Sequence, residues 1–75
     1  MHDKIIAMIA SFSKREATDI ESRLDEKGLW DSFSHVELVL LLESEFGVFF
    51  EQEEIAEMNT PRTVIEAVQS KQAVG

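Results

Sequence analysis

Apolar residues fall along the chain in four helical patterns. Ile5, Met8, Ile9 and Phe12 recur at i, i+3, i+4 and i+7, the spacing of one helix face. The period is then lost through "SFSKREATDIESRLDEKGLWD", where isolated Ile20, Leu24, Leu29 and Trp30 read as anchors pinning a long loop to the core. Loops this long in a small domain tend to be functional or to carry a short turn of helix. Gly28 supplies a turn ahead of the second helix, which spans about Ser32 to Phe46 and stops at Gly47, a natural C′ residue. Asp31 is a good N-cap for it, and Ser34 with Glu37 offers a capping box slightly further on. "VFFEQEEIAEM" reads as a connector holding a short third helix, with Ile55 and Met58 inward. Thr60 caps a fourth helix with Pro61 at N1, where the missing N–H costs nothing, and with Val64, Ile65 and Val68 facing in. "SKQAVG" reads as a frayed tail over 70–75. The prediction is an all-α fold: a small four-helix bundle, one domain over 1–75, with a long loop between its first two helices and a short third helix.

The second helix carries two apolar stripes. Leu38, Leu42 and Phe46, flanked by Val39 and Leu41, belong in the core. Ser32, Val36 and Leu40 form another column at i, i+4 and i+8, rimmed by Glu37, Glu43 and Ser44. Two readings stand side by side. The helix is buried on two sides, or the second stripe is a docking surface with an apolar centre, an acidic rim and a serine at its head.

Composition narrows the choice. With 75 residues the chain makes one small domain, and with no cysteine it has neither disulfides nor a thiolate metal site. The first residues, "MHDKIIAMIASF", make a poor signal peptide, and the longest apolar run, Leu38 to Leu42, is far too short to span a bilayer. A soluble, cytoplasmic monomer is expected, with no stable membrane insertion.

The net charge is −8, from 7 Lys+Arg against 15 Asp+Glu, and it is uneven. From Gly28 through Pro61 there is no Lys or Arg, while Asp31, Glu37, Glu43, Glu45, Glu51, Glu53, Glu54 and Glu57 all lie there. Such a field repels nucleic acid and attracts basic protein surfaces, although each acid taken singly reads as part of a solvated face. Crowding of these acids on folding predicts carboxylate pKa values above their unfolded values, and hence stability that falls from mildly acidic to neutral pH.

Catalytic readings find little support. A nucleophilic serine needs a base in reach and a group to orient it. His35 is three residues from Ser32, but a histidine there reads as a solvated surface residue, and no G-x-S-x-G elbow surrounds the serine. "EQEEIAE" lacks the alternating ligands and central glycine of a calcium loop, no histidine pair has ligand spacing, and there is no glycine-rich phosphate loop. No catalytic residue and no metal site is assigned.

The stretch "DSFSHVELVLLLESEFGV" resembles the acyl carrier proteins and the related peptidyl and aminoacyl carrier domains. Their signature is Asp-Ser-Leu followed by a helix of the type V-E-L-x-x-x-L-E-x-E-F-G. Here it reads Asp31-Ser32-Phe33, Val36-Glu37-Leu38 and Leu42-Glu43-Ser44-Glu45-Phe46-Gly47. Length, acidity, four helices, the long first loop and the Thr-Pro start of the last helix match more loosely.

The resemblance implies that Ser32 carries 4′-phosphopantetheine, attached from coenzyme A by a phosphopantetheinyl transferase. Asp31 beside it is the acid of the attachment motif, which helps the transferase bind its metal. An acyl or aminoacyl group would ride on the arm's thiol as a thioester. Phe33, Val36, Glu37, Leu40 and Glu43 would dock basic partner enzymes: a loading ligase and an acceptor synthase or transferase. On this reading the chain is a substrate for other enzymes and not itself an enzyme. Phe33, Ser34, His35 and Phe49-Phe50 depart from the pattern of the general fatty-acid carriers, and one phenylalanine of that last pair should pack inward with the other exposed. Phe33 would fill the gap between loop and helix or shape a partner's contact. These departures suit a specialised pathway, such as polyketide, nonribosomal peptide or D-alanyl transfer. Two readings from other classes stay open: an unmodified acidic interaction module with a carrier-like fold, and a small Ser32–His35 hydrolase.

Overall fold

The computed structural model describes residues 2–74, and the side chains of 73 and 74 are left aside. Five helices lie in this span: α1 (His2–Ser13), α2 (Ala17–Glu21), α3 (Ser32–Phe46), α4 (Gln52–Glu57) and α5 (Pro61–Val74). No strand occurs among the described residues. The four expected helices are present, and α2 is the addition. It is a five-residue helix inside the long loop, held by Ile20, which is fully buried, and braced by Asp19 between Arg15 and Arg23 at 2.7 and 2.9 Å. A single apolar residue gives no periodicity to read, so a helix this short leaves only an anchor in the sequence.

Capping chemistry accounts for the helix ends. α1 stops with Lys14 in the left-handed region (φ 57°), where Arg15 N–H donates to Ala10 O at 3.0 Å and Lys14 N–H to Ser11 O at 3.4 Å. This is the paired bonding of a Schellman turn on a residue that carries a Cβ. α3 stops on Gly47 (φ 64°), with Val48 N–H donating to Glu43 O at 3.2 Å. α4 opens with a capping box between Glu51 and Glu54. At the start of α5, Thr60 N–H donates to Thr63 Oγ1 at 3.0 Å and Thr63 N–H to Thr60 Oγ1 at 3.2 Å, a reciprocal cap built from two threonines.

α1 packs against α2, α3 and α5, and α3 also packs against α5. Ile5, Ile9, Ile20, Leu38, Leu42, Val64 and Val68 are completely buried, with Phe50 and Met58 beside them. The radius of gyration, 11.2 Å, equals the value of about 11 Å expected for a packed chain of this length. The long loop is tied down by Leu29 in the core and by α5, where Arg62 N–H donates to Leu24 O at 2.9 Å and the Arg62 guanidinium meets Asp25 at 2.7 Å. α5 continues to Val74, past Ser70 where fraying was expected. Gln72 donates to Phe46 O at 2.7 Å and Lys71 meets Glu54 at 2.9 Å, which fastens the last turns; Gly75 lies outside the described residues. No helix among the described residues is long and apolar enough to cross a membrane.

Candidate functional site at the head of the third helix

The start of α3 is fixed by Asp31. Its backbone is extended (φ −85°, ψ 176°) and its Oδ1 accepts from Ser34 N–H at 2.8 Å, so of the two caps open to the sequence the Asp31 cap forms. Bonding to the Ser34 N–H holds the Asp31 carboxyl below the usual carboxylate range, because that bond favours the ionised form. Ser32 is N1 of the helix and is exposed. It sits in an open groove of about 330 Å³ with Gly28, Trp30, Asp31, His35, Val36, Ala56 and Asn59.

His35 corrects the sequence reading. It is half-buried rather than solvated, and both ring nitrogens have partners. Trp30 Nε1–H donates to His35 Nδ1 at 2.9 Å, and His35 Nε2 lies 2.8 Å from Ile55 O. An indole N–H only donates and a carbonyl only accepts, so the neutral ring with its proton on Nε2 satisfies both bonds. In that state His35 has no free lone pair with which to deprotonate Ser32.

The second stripe of α3 is exposed. Val36 is 57% and Leu40 60% accessible, with Phe33 at 73% on the same side, while Leu38, Val39 and Leu42 are buried. A helix buried on two sides is therefore excluded. Leu41, expected to flank the core, is itself 44% exposed, and Phe33 points out of the bundle and fills no gap between loop and helix. Phe50 is buried and Phe49 is 69% exposed, as the pairing predicted. Phe49 joins Val36 and Leu40 in lining an apolar groove of about 360 Å³ between α3 and α4.

Of the acids around the stripe, Glu37 is exposed, but Glu43 is half-buried and turned to the loop, its Oε2 accepting from Phe50 N–H at 2.9 Å. Glu43 nonetheless lines the groove with Val36, Leu40 and Phe49, and its carboxylate also holds the Phe49–Phe50 turn.

Folding also brings cations to the acidic window from outside it. Lys4 pairs with Glu45, and Lys71 with Glu54 at 2.9 Å. The Glu51 backbone N–H and then the Lys71 ammonium pull the Glu54 carboxyl below its usual range. Asp19 is lowered too, by its bonds to Arg15 and Arg23. Asp19, Asp31 and Glu54 all move down, the opposite direction to the raised values expected from crowding. These acids are individually partnered, and direct hydrogen bonds at contact distance outweigh screened repulsion between neighbours.

One gathering escaped the sequence reading. His2, Asp3 and Glu21 place possible metal-ligand atoms within 4.8 Å of one another, all exposed, with His2 Nε2 3.2 Å from Glu21 Oε2. The signal was invisible because nineteen residues separate His2 from Glu21 and only the docking of α2 on α1 joins them. The Trp30–His35–Ile55 chain escaped for the same reason at its Ile55 end, while its Trp30–His35 half was available in the N′ to N4 spacing about Asp31. No protein-family model matches this chain, and no curated protein matches it either.

Proposed function

We propose that this chain is an acyl or aminoacyl carrier protein whose Ser32 receives 4′-phosphopantetheine from coenzyme A by the action of a phosphopantetheinyl transferase. The observation that carries the reading is the surface of α3. An exposed serine stands at N1, and an exposed apolar column runs down the same helix from it. A hydroxyl that is displayed without a base of its own is suited to modification by another protein.

The residues present fit the group. Ser32 supplies the attachment oxygen at the mouth of an open groove whose walls, Trp30, Val36 and Ala56, give apolar contact while Asn59 offers an amide. Asp31 uses Oδ1 on Ser34 N–H, which leaves Oδ2 for a metal ion brought by the transferase. When attached, the group supplies a thiol on a long arm, where an acyl or aminoacyl cargo is held as a thioester. The chain's own residues do the rest. Phe33, Val36 and Leu40 give partners an apolar strip, and exposed Glu37, with no Lys or Arg between Gly28 and Pro61, attracts basic surfaces. The partners are the transferase, a loading ligase and an acceptor synthase or transferase, acting in the cytoplasm on a monomer. Phe33, His35 and exposed Phe49 favour a specialised biosynthetic pathway over general fatty-acid synthesis.

The second reading is an unmodified interaction module. It is favoured by the same exposed stripe, which is a docking surface whether or not Ser32 is modified. Incubation with a broad-specificity phosphopantetheinyl transferase, magnesium and coenzyme A separates the two. The carrier gains one phosphopantetheine per chain in its intact mass, and the module gains none.

A further inference from the structure

The first turn of α3 is held by an unusual device. With Asp31 as N-cap, Trp30 is N′ and His35 is N4, the two positions that in many helices touch through apolar side chains and fix the angle at which the chain joins the helix. Here the pair is joined by a hydrogen bond, Trp30 Nε1–H to His35 Nδ1 at 2.9 Å, with the two ring planes only 12° apart. His35 Nε2–H then reaches the Ile55 carbonyl at 2.8 Å, in the last turn of α4. One chain of polar contacts thus runs from the loop, through the first turn of α3, to α4. Ser32 lies between the two residues that begin it.

We propose that Trp30 and His35 are positioning residues for the modification of Ser32: they hold the first turn of α3 at a fixed angle to α4, so that the Ser32 hydroxyl is presented in one orientation. This inference rests on the carrier reading. Four contacts act together on the turn. Asp31 Oδ1 fixes the Ser34 N–H and Asp31 O accepts from His35 N–H at 2.9 Å, which sets the helix start. The indole–imidazole bond sets the loop against that start, and the Ile55 bond sets both against α4. Without the last two, N1 is an exposed first turn free to fray. Neither residue offers a free polar atom to the reacting groups, since Trp30 gives its N–H to His35 and both imidazole nitrogens are occupied. The docking column of Phe33, Val36 and Leu40 lies outside this network, so presentation and docking are separable.

The test is steady-state kinetics of Ser32 modification by a phosphopantetheinyl transferase and coenzyme A, on the full chain, with wild type, Trp30→Phe, His35→Leu and His35→Gln. Trp30→Phe keeps the ring and removes the donor. The Gln side chain retains an acceptor for Trp30 and a donor for Ile55. Val68→Ala, a core truncation in α5 far along the chain from the turn, controls for lost stability. All are assayed at a temperature where circular dichroism shows them folded. Misplacing a reacting group by about an ångström is enough to cost up to about a hundredfold in rate, so Trp30→Phe and His35→Leu should lose roughly tenfold in kcat. KM for the carrier should stay within about twofold, because docking is untouched. His35→Gln should recover part of the rate and Val68→Ala should keep all of it. Amide exchange at Ser34 and His35 should quicken in the first two variants. Unchanged kcat in Trp30→Phe and His35→Leu, a loss confined to KM, or an equal loss in Val68→Ala overturns the inference while leaving the carrier reading intact. Failure of wild type to be modified at all overturns the carrier reading and the inference with it.

Discussion

Phe49 and Phe50 are adjacent and chemically identical, yet the fold separates their roles completely. Phe50 is 1% exposed and packs in the core, whereas Phe49 is 69% exposed. Replacing each by leucine probes this division with a modest loss of volume. At Phe50 the change removes buried ring carbons and leaves a small void, a cost of about 1–1.5 kcal/mol for a near-conservative core swap. At Phe49 the cost stays within about 0.5 kcal/mol, as for most exposed sites. Unfolding entropy of about 2.1 cal/mol/K per residue over 75 residues gives about 0.16 kcal/mol/K, so 1 kcal/mol moves Tm by about 6 °C. Phe50→Leu should therefore melt about 6–10 °C below wild type and Phe49→Leu within about 3 °C of it, followed by far-UV circular dichroism. For a chain whose whole stability is about 4–11 kcal/mol, the first shift is large enough to measure without unfolding the protein. Equal shifts in the two variants, or a larger one at Phe49, would refute the assignment of the turn between α3 and α4 and with it the exposed groove beside Leu40.

Further outcomes follow from other contacts. Asp31, Asp19 and Glu54 are held below their unfolded values, so what they add to stability is present above the unfolded pKa and is lost as pH falls through the folded one. Tm should accordingly hold through mildly acidic pH and drop below about pH 4, with a shallower drop in Asp31→Asn and Glu54→Gln; a Tm that climbs on acidification would contradict the partnered state of these acids. Lys14→Gly should raise Tm by several degrees, since glycine relieves a left-handed residue at about 1 kcal/mol, and an unchanged or lower Tm would deny that φ of 57°. Glu37→Lys and Leu40→Asp should slow modification of Ser32 without lowering helicity, the charge reversal losing its effect at high salt. Normal rates in both variants would move the docking surface elsewhere.

Much of the architecture was legible because long helices advertise themselves by period. The cap at Asp31, the stop at Gly47 and the Thr60-Pro61 start each rest on the local chemistry of a few neighbouring residues, which a sequence displays directly. What stayed hidden depends on contacts between distant segments. α2 offered one buried isoleucine and no repeat. Whether Val36 and Leu40 were core or surface could not be decided from spacing, since α3 is apolar on opposite sides and only the packing of α1 and α5 selects one of them. Charge density along the chain does not predict the downward direction at Asp31 and Glu54. Lys71 reaches Glu54 from α5, and backbone N–H groups at helix starts act on Asp31 and Glu54, none of which enters a count of acids. The burial of His35 is not legible at its α4 end because the partner there is a carbonyl, which every residue has and no side chain announces.

The displayed serine is the centre of the functional reading, and its most direct test is peptide-level mass spectrometry after incubation with a phosphopantetheinyl transferase and coenzyme A. Wild type, Ser32→Ala and Ser34→Ala should be compared, with circular dichroism confirming that each is folded. Ser34 lies two residues away in the same turn but gives its backbone N–H to the Asp31 cap, and its side chain is half-buried. The carrier reading predicts one phosphopantetheine on the peptide containing Ser32 in wild type and in Ser34→Ala, and none in Ser32→Ala. A wild-type chain left unmodified, or a Ser32→Ala chain still modified, would contradict it.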